Sequence, residues 1–281
     1  MAMIDVQRWA AFTTEPTGGN PAGLVLDARG LDDAAMLRIA AEVGYAETAF
    51  VTPGRGDRHR GIRYFSPHAE VPFCGHATIA AAAAIAEIHG DGPIVFATPV
   101  GEIEITTASD AAGTRASFTS VEPRVAPLEG PALDDVLSAI GLTRSALHPA
   151  HPPARAFAGN EHPLIALSDR AVFDGFAVNA VRARAVLDAH GWPATIGVLW
   201  PERPERWHAR HVFPVGAIVE DPATGSGAAA TGAWLRASGA VRVPARVTIL
   251  QGAQVGRPGE LTVDIPAAGG ITVTGSAVRI G

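Results

Sequence analysis

The chain has 281 residues, 47% of them hydrophobic, with 31 glycines, 22 prolines and a net charge of −6. That length supplies a core needing neither disulfide nor metal, and the acidic balance without a basic stripe argues against nucleic acid as a partner. No lysine occurs, all 22 basic residues being arginine, so a lysine imine to pyridoxal phosphate or to a carbonyl substrate is excluded, as is a Walker-type phosphate loop. Cys74 is the single cysteine. An internal disulfide is therefore impossible, which suits a reducing cytoplasm. Met1-Ala2-Met3-Ile4-Asp5 has no positive region followed by an apolar stretch, so no signal peptide is expected. The most apolar run, 77–88, is too short to cross a bilayer and reads as a buried helix, so no membrane role is expected.

In chain order, 3–12 and 23–27 read as strands joined through Gly18-Gly19-Asn20-Pro21. Asp32 or Asp33 can cap a helix to Val43, with Met36, Ile39, Ala40 and Val43 on one face and Gly44 as its stop. Strands are predicted at 48–52 and 62–66, then a loop over 67–73 and the alanine-rich helix 77–88. A hairpin over 94–98 and 102–107 and a strand at 117–121 follow. The second series has a helix over 133–140, a Pro/His loop at 148–153, a strand at 164–167 and a helix over 180–190 closed by Gly191. Strands at 195–200 and 210–213 lead to a glycine turn at 222–227, a helix to Ala237, a hairpin over 247–250 and 261–265, and a last strand at 271–279.

This order contains an internal repeat. Arg63-Tyr-Phe-Ser-Pro67, Glu70, Cys74-Gly75-His76, a small-residue helix and a hairpin are matched by Arg210-His-Val-Phe-Pro214, Glu220-Asp221, Thr224-Gly225-Ser226, a second small-residue helix and a hairpin. The pattern predicts two copies of a β-structure wrapped around a central helix. The two helix starts would then face a shared cleft and present partial positive charge to an anionic substrate.

Gly225-Ser226-Gly227-Ala228-Ala229-Ala230 matches the spacing of a dinucleotide fingerprint, but no Asp or Glu follows until Glu260, where a ribose contact would need one about 20 residues on. The run therefore reads as a glycine turn at a helix start, serving either close packing or an anion. His76, in a first helical turn, favours a neutral imidazole, either as a proton shuttle or as a structural group. Cys74 is either a packing residue or a thiol of the site. His208 and His211, three apart on a strand, face opposite sides. With no H-E-x-x-H or C-x-x-C spacing, a metal is not expected. Glu47, entering a strand among Tyr45, Ala46, Ala49 and Phe50, is either a solvated edge charge or a partly desolvated carboxyl suited to moving protons.

Four motifs, GGNPAGLVLD at 18–27, GYAETAFV at 44–51, RYFSPHAEVPFCGHATIAAA at 63–82 and EDPATGSGAAATGAWL at 220–235, together resemble the PhzF-like family, which shares the diaminopimelate-epimerase-like fold. The resemblance spans nearly the whole chain. It implies an α+β fold of two similar β-roll or barrel halves, each around a central helix, with the active site between them. The first half would be 1–112 completed by 271–281, and the second 113–270. By motif, Glu47 corresponds to the acid/base, with His76 and Asp221 as further catalytic groups. Gly75, Gly225, Ser226 and Cys74 correspond to substrate-binding positions. The implied activity is a cofactor-independent, cytoplasmic isomerase of a small carboxylate, with no metal and, by the same resemblance, a homodimer. An epimerase using carboxylate and thiol, and a non-catalytic small-molecule binder, remain the alternatives. A two-thiol racemase is excluded by the single cysteine. Ala46 stands where the phenazine enzyme has a serine, and Cys74 where it has an alanine, so one substrate-binding hydroxyl is absent.

Overall fold

The structure is a computed structural model that describes residues 4–111, 113–215 and 218–281. The expected strand start at Met3 and the expected half-boundary at Ala112 lie outside the described residues. The chain forms two compact units, Met1–Thr119 with Thr274–Gly281, and Ser120–Val273.

In the first unit, β1 (Gln7–Ala11) pairs antiparallel with β2 (Asn20–Val25). Helix α1 (Asp33–Val43) then crosses over to β3 (Thr48–Gly56), which lies parallel to β2. The cap chemistry is as the sequence dictates. The Asp32 carboxylate accepts from Ala35 N at 2.8 Å, and Gly44 takes the left-handed conformation, φ 74°, that ends the helix. β4 (His59–Phe65) returns antiparallel to β3, and the two-residue β5 (Glu70–Val71) pairs with its end. Helix α2 (Gly75–His89) leads to β6 (Gly92–Thr98), parallel to β4. β7 (Gly101–Asp110) and β8 (Gly113–Thr119) complete a meander. The last strand of the chain, Thr272–Ile280, pairs with both β8 and β1, and this closes an eight-stranded barrel.

Helix α2 is buried on every side from His76 to Ala86, as expected of a helix threaded through a barrel. Its alanines keep it thin enough for the surrounding strands to close. Helix α1 instead lies outside, where Met36, Ile39 and Ala40 pack on Val25, Phe50 and Phe65.

The second unit repeats the scheme. β9 (Arg124–Pro127) pairs antiparallel with β10 (Ala154–Phe157), after an intervening helix α3 (Gly130–Ala139). β11 (Glu161–Ala166) is followed by α4 (Arg170–Gly175) and α5 (Ala180–His190) and then by β12 (Ile196–Arg203), parallel to β11. β13 (Arg206–Val215) pairs with the short β14 (Ile218–Asp221) and lies parallel to β15 (Ala245–Gln251). Helix α6 (Gly225–Ala237) precedes β15, and β16 (Gly259–Ile265) closes the hairpin. The succession β10-β11-β12-β13-β14-α6-β15-β16 has the pairings, parallel and antiparallel, of β1-β2-β3-β4-β5-α2-β6-β7. Outside the strands, α3, α4 and α5, with Trp192 just past the end of α5, bury Leu133, Leu137, Phe173 and Leu187 against Ile165, Ile196 and Val198.

The division at Thr119/Ser120 and Val273/Thr274 differs by a few residues from the expected 112/113 and 270/271, because β8 is hydrogen-bonded to β7 and stays with the first unit. The expected loop over 67–73 holds a short strand, and a second short strand precedes the glycine turn at 222–227. Glu70 and Glu220 sit on β5 and β14, where each grips the arginine of the preceding strand through both carboxylate oxygens. Arg63 donates to Glu70 at 2.7 Å through both Nε and Nη2, and Arg210 Nε donates to Glu220 at 2.9 Å, with a second bond from Nη2. Such paired geometry is the strong form of the arginine–carboxylate contact, and it sets the turn that leads into each central helix. Among the described residues no helix is long and apolar enough to cross a membrane.

Candidate functional site

In the first unit, Glu47 occupies the link from α1 to β3, held there by a hydrogen bond from Gly23 N to its carbonyl. Its side chain is 14% exposed, so the carboxyl is partly desolvated. Cys74 is the N-cap of α2 but gives the helix no side-chain cap, and Gly75 and His76 open the first turn. The three polar groups converge. His76 Nε2 lies 3.5 Å from Glu47 Oε2, and Cys74 Sγ lies 3.4 and 3.7 Å from Nδ1 and Nε2 of His76. Carboxylate oxygen, thiol sulfur and ring nitrogen all fall within 4.8 Å of one another.

Burial pushes the His76 pKa down to about 4, partly offset by a hydrogen bond to Pro21, whose backbone can only accept. The imidazole is thus neutral at physiological pH, as expected, although burial is the leading cause and not the helix dipole. At 3.5 Å the contact with Glu47 is a neutral ring beside a carboxyl, longer than an ordinary hydrogen bond. Beneath this cluster, Tyr64 and Thr78 share a buried hydrogen bond of 2.6 Å, and Thr78 Oγ1 donates to the Cys74 carbonyl at 2.7 Å. Burial raises the Tyr64 phenol, which therefore stays protonated and serves to fix the helix start.

In the second unit, Asp221 ends β14, and Thr224 is the uncapped N-cap of α6, the position equivalent to Cys74. Thr224 Oγ1 donates to Asp221 Oδ2 at 2.6 Å, while Gln251 Nε2 donates to Thr224 Oγ1 at 2.9 Å and to the Asp221 carbonyl at 2.7 Å. Gln251 Oε1 accepts from Thr224 N at 3.1 Å. The acidic side chain is therefore oriented from behind by a fully used amide.

Gly225 and Ser226 open α6. Ser226 Oγ lies 3.1 Å from Nε2 of His162, a residue of β11 that is fully buried. His162 Nδ1 faces both Oγ1 and the carbonyl of Thr195, at 2.9 and 3.3 Å, and Thr195 Oγ1 is 2.6 Å from Nδ1 of buried His211. A carbonyl accepts only, so Nδ1 of His162 carries the proton and Nε2 accepts from the Ser226 hydroxyl. The hydroxyl thus directs its proton inward and its lone pairs outward, so toward a ligand Ser226 can act only as an acceptor. Burial depresses the pKa of His162 to about 4 and that of His211 well below its ordinary value, so both rings are neutral. His211 can lie against α6 only because residue 227 is glycine. A Cβ there would stand 2.2 Å from His211 Cε1.

Of the residues expected from sequence, Glu47, Cys74, Gly75 and His76 share one cluster of the first unit, and Asp221, Gly225 and Ser226 lie together in the second. His162, Thr195 and Gln251 were not anticipated. Their signal was weak: a polar residue inside an apolar strand, as in Glu161-His162-Pro163-Leu164, or at its margin, as in Thr195 and Gln251. The partner of each lies 27 to 64 residues away.

Comparison with known proteins identifies the family. The family profile described as phenazine biosynthesis-like protein matches residues 9–280. An uncharacterized isomerase of Deinococcus radiodurans is 34% identical over 270 residues, covering 92% of this chain and 86% of its own. The trans-2,3-dihydro-3-hydroxyanthranilate isomerase of Pseudomonas fluorescens is 29% identical over 249 residues, covering 88% and 85%. Among solved structures, the PhzF-family phenazine biosynthesis protein of Bacillus anthracis matches with a TM-score of 0.86 and 27% identity, covering 100% of this chain and 98% of that one. Barrel, central helix, repeat and motifs thus coincide with a profile that runs over nearly the whole sequence, and the chain belongs to the phenazine biosynthesis-like (PhzF) family of isomerases.

Proposed function

We propose that the protein shifts a proton on a small unsaturated carboxylic acid by general acid–base catalysis, without an organic or metal cofactor. The observation that carries this reading is the partly buried Glu47 carboxyl set 3.5 Å from a buried, neutral His76 at the uncapped start of α2. In the proposed reaction Glu47 takes a proton from a carbon next to the unsaturated system. The electron pair left behind spreads over that system, and Glu47 returns the proton at a different carbon, so no electrons are gained or lost. His76 is neutral with its one N–H given to the Pro21 carbonyl, so its other ring nitrogen is a lone pair able to accept and relay a proton within the site. The first N–H groups of α2 favour the substrate carboxylate through the partial positive charge of the helix start. By motif, Asp221 corresponds to a further acid/base group of the family, and Gly225 and Ser226 to substrate-binding positions. Ala46 replaces the serine hydroxyl of the phenazine enzyme, so a substrate lacking one polar contact fits better than the anthranilate precursor itself.

The epimerase reading is disfavoured by distance. Two bases acting on opposite faces of one carbon, each about 3–3.5 Å from it, stand roughly 6–7 Å apart, whereas the Glu47 and Cys74 ligand atoms lie within 4.8 Å.

The test is incubation with a panel of small unsaturated acids in D₂O, read by mass spectrometry for carbon-bound deuterium and by NMR for double-bond migration. Glu47→Gln should keep fold and ligand binding and lose turnover by at least ~10²-fold. Turnover of Glu47→Gln at the wild-type rate would refute the mechanism.

A further inference from the structure

We propose that His162 sets the hydrogen-bonding polarity of Ser226 and thereby part of the substrate class: the group that meets Ser226 is a hydroxyl of the substrate, donating its proton to Oγ, and not a carboxylate. This role rests on the proposed function, in which Ser226 occupies a substrate-binding position. Every residue that carries it lies in the second unit. Ser226 is half-buried in the first turn of α6, and its Oγ lies 3.1 Å from Nε2 of His162. Nδ1 of His162 faces the Thr195 carbonyl at 3.3 Å as well as Thr195 Oγ1 at 2.9 Å. A carbonyl only accepts, so the one proton of the neutral ring stands on Nδ1, and Nε2 is a lone pair. The single hydroxyl proton of Ser226 goes to that lone pair. What its oxygen offers on the open side is acceptor capacity alone. A serine at a helix start with no such neighbour could turn its proton toward an anion; here that proton is already committed.

The helix start narrows the choice. The first N–H groups of α6 are donors that its N-cap, Thr224, does not satisfy with its side chain. A carboxylate suits those donors but sets its lone pairs against those of Ser226 Oγ. An ammonium suits Oγ but meets the partial positive charge of the helix start. A hydroxyl suits both, since its oxygen accepts from a backbone N–H while its proton goes to Oγ. The arrangement is held firmly. His162 is fully buried, and burial keeps its pKa at about 4, so Nε2 retains its lone pair at neutral pH. The ring cannot turn over to exchange its nitrogens without losing Thr195, and His211 packs edge-on against it with ring centres 5.8 Å apart. His162 is thus a positioning residue that acts through Ser226.

The first arm of the test needs no ligand. A long-range ¹H–¹⁵N spectrum of protein labelled in its histidine rings, with His162 assigned from the signals lost in His162→Gln, should show the proton on Nδ1 and a bare Nε2. A proton on Nε2 overturns the proposal. The second arm measures by calorimetry the binding of three probes that differ at one position: meta-hydroxybenzoate, its methyl ether and isophthalate. These carry a donor hydroxyl, an acceptor alone and a second carboxylate. The hydroxyl probe should bind about 3–10-fold more tightly than each of the others, the scale of one hydrogen bond. His162→Phe removes the acceptor, frees the Ser226 proton to turn outward and should erase or reverse that preference. His162→Gln, whose side-chain oxygen can take the place of Nε2, should keep it. A merely structural His162 would move all three affinities together and leave their ratio unchanged. An equal or inverted order in the wild type, or the wild-type ratio persisting in His162→Phe, overturns the inference alone. Where His162→Phe does not fold by circular dichroism, the tautomer and the wild-type order still decide. Failure of all three probes to bind removes the carboxylate site of the proposed function, and the inference with it.

Discussion

Acid should unfold this protein through its interior histidines before its carboxylates titrate. His76 and His162 have their pKa values lowered from 6.5 to about 4 by burial, and burial lowers His211 well below its ordinary value too. Between those values the unfolded chain binds protons that the folded chain refuses, so stability is fully present above pH 6.5 and is lost as the pH falls. For one histidine shifted from 6.5 to 4, the loss between pH 7 and pH 5 is about 2 kcal/mol, from the ratio of the two binding polynomials. Two such groups cost about 4 kcal/mol and His211 adds to the loss in the same direction, against a typical total stability of about 5–15 kcal/mol. His162 and His211 share Thr195, so their protonation is coupled and the sum belongs to the pair. Urea unfolding followed by circular dichroism at half-unit pH steps, with the slope m held common, gives ΔG at each pH. The steepest part should correspond to two or three protons, roughly 3–4 kcal/mol per pH unit. A slope below one proton in this window would show that the rings are hydrated or already charged, and the neutral array behind Ser226 would be wrong. His162→Gln should flatten the curve even where it lowers the plateau.

Ser226→Ala leaves the buried Nε2 of His162 without its donor, which should cost about 1–3 kcal/mol in stability; calorimetry separates this from any loss of ligand affinity, and an unchanged melting temperature would contradict the hydrogen bond. Gly227→Ala drives a methyl into the His211 ring at 2.2 Å and should cost about 1–3 kcal/mol by overpacking, while Gly239→Ala probes only the cost of a positive φ in open space. Chelator-dialysed enzyme should retain its full rate of deuterium exchange once a substrate is found; activity lost on dialysis and restored by a divalent metal would refute cofactor independence.

Local chemistry made much of the molecule readable. Asp32 and Gly44 bracket α1, and Gly191 ends α5 at the expected residue, because caps and left-handed turns involve neighbours a few residues away. The doubled order of arginine strand, glycine turn and small-residue helix was legible for a related reason: a helix enclosed by strands must be apolar all round and thin, and this leaves a compositional trace in Gly75–His89 and Gly225–Ala237. Glu47, His76 and Asp221 were singled out by their motifs. The short strands β5 and β14 were not visible, since two to four residues carry no periodicity and are strands only because β4 and β13 pass beside them. Tertiary structure likewise decided that Glu47 stands beside Cys74 and His76, that Gln251 orients Asp221, and that His162, Thr195 and His211 back Ser226. Each of these depends on pairing between segments far apart in sequence, and neither burial nor a hydrogen-bond partner can be assigned to a lone polar side chain until those strands are in register.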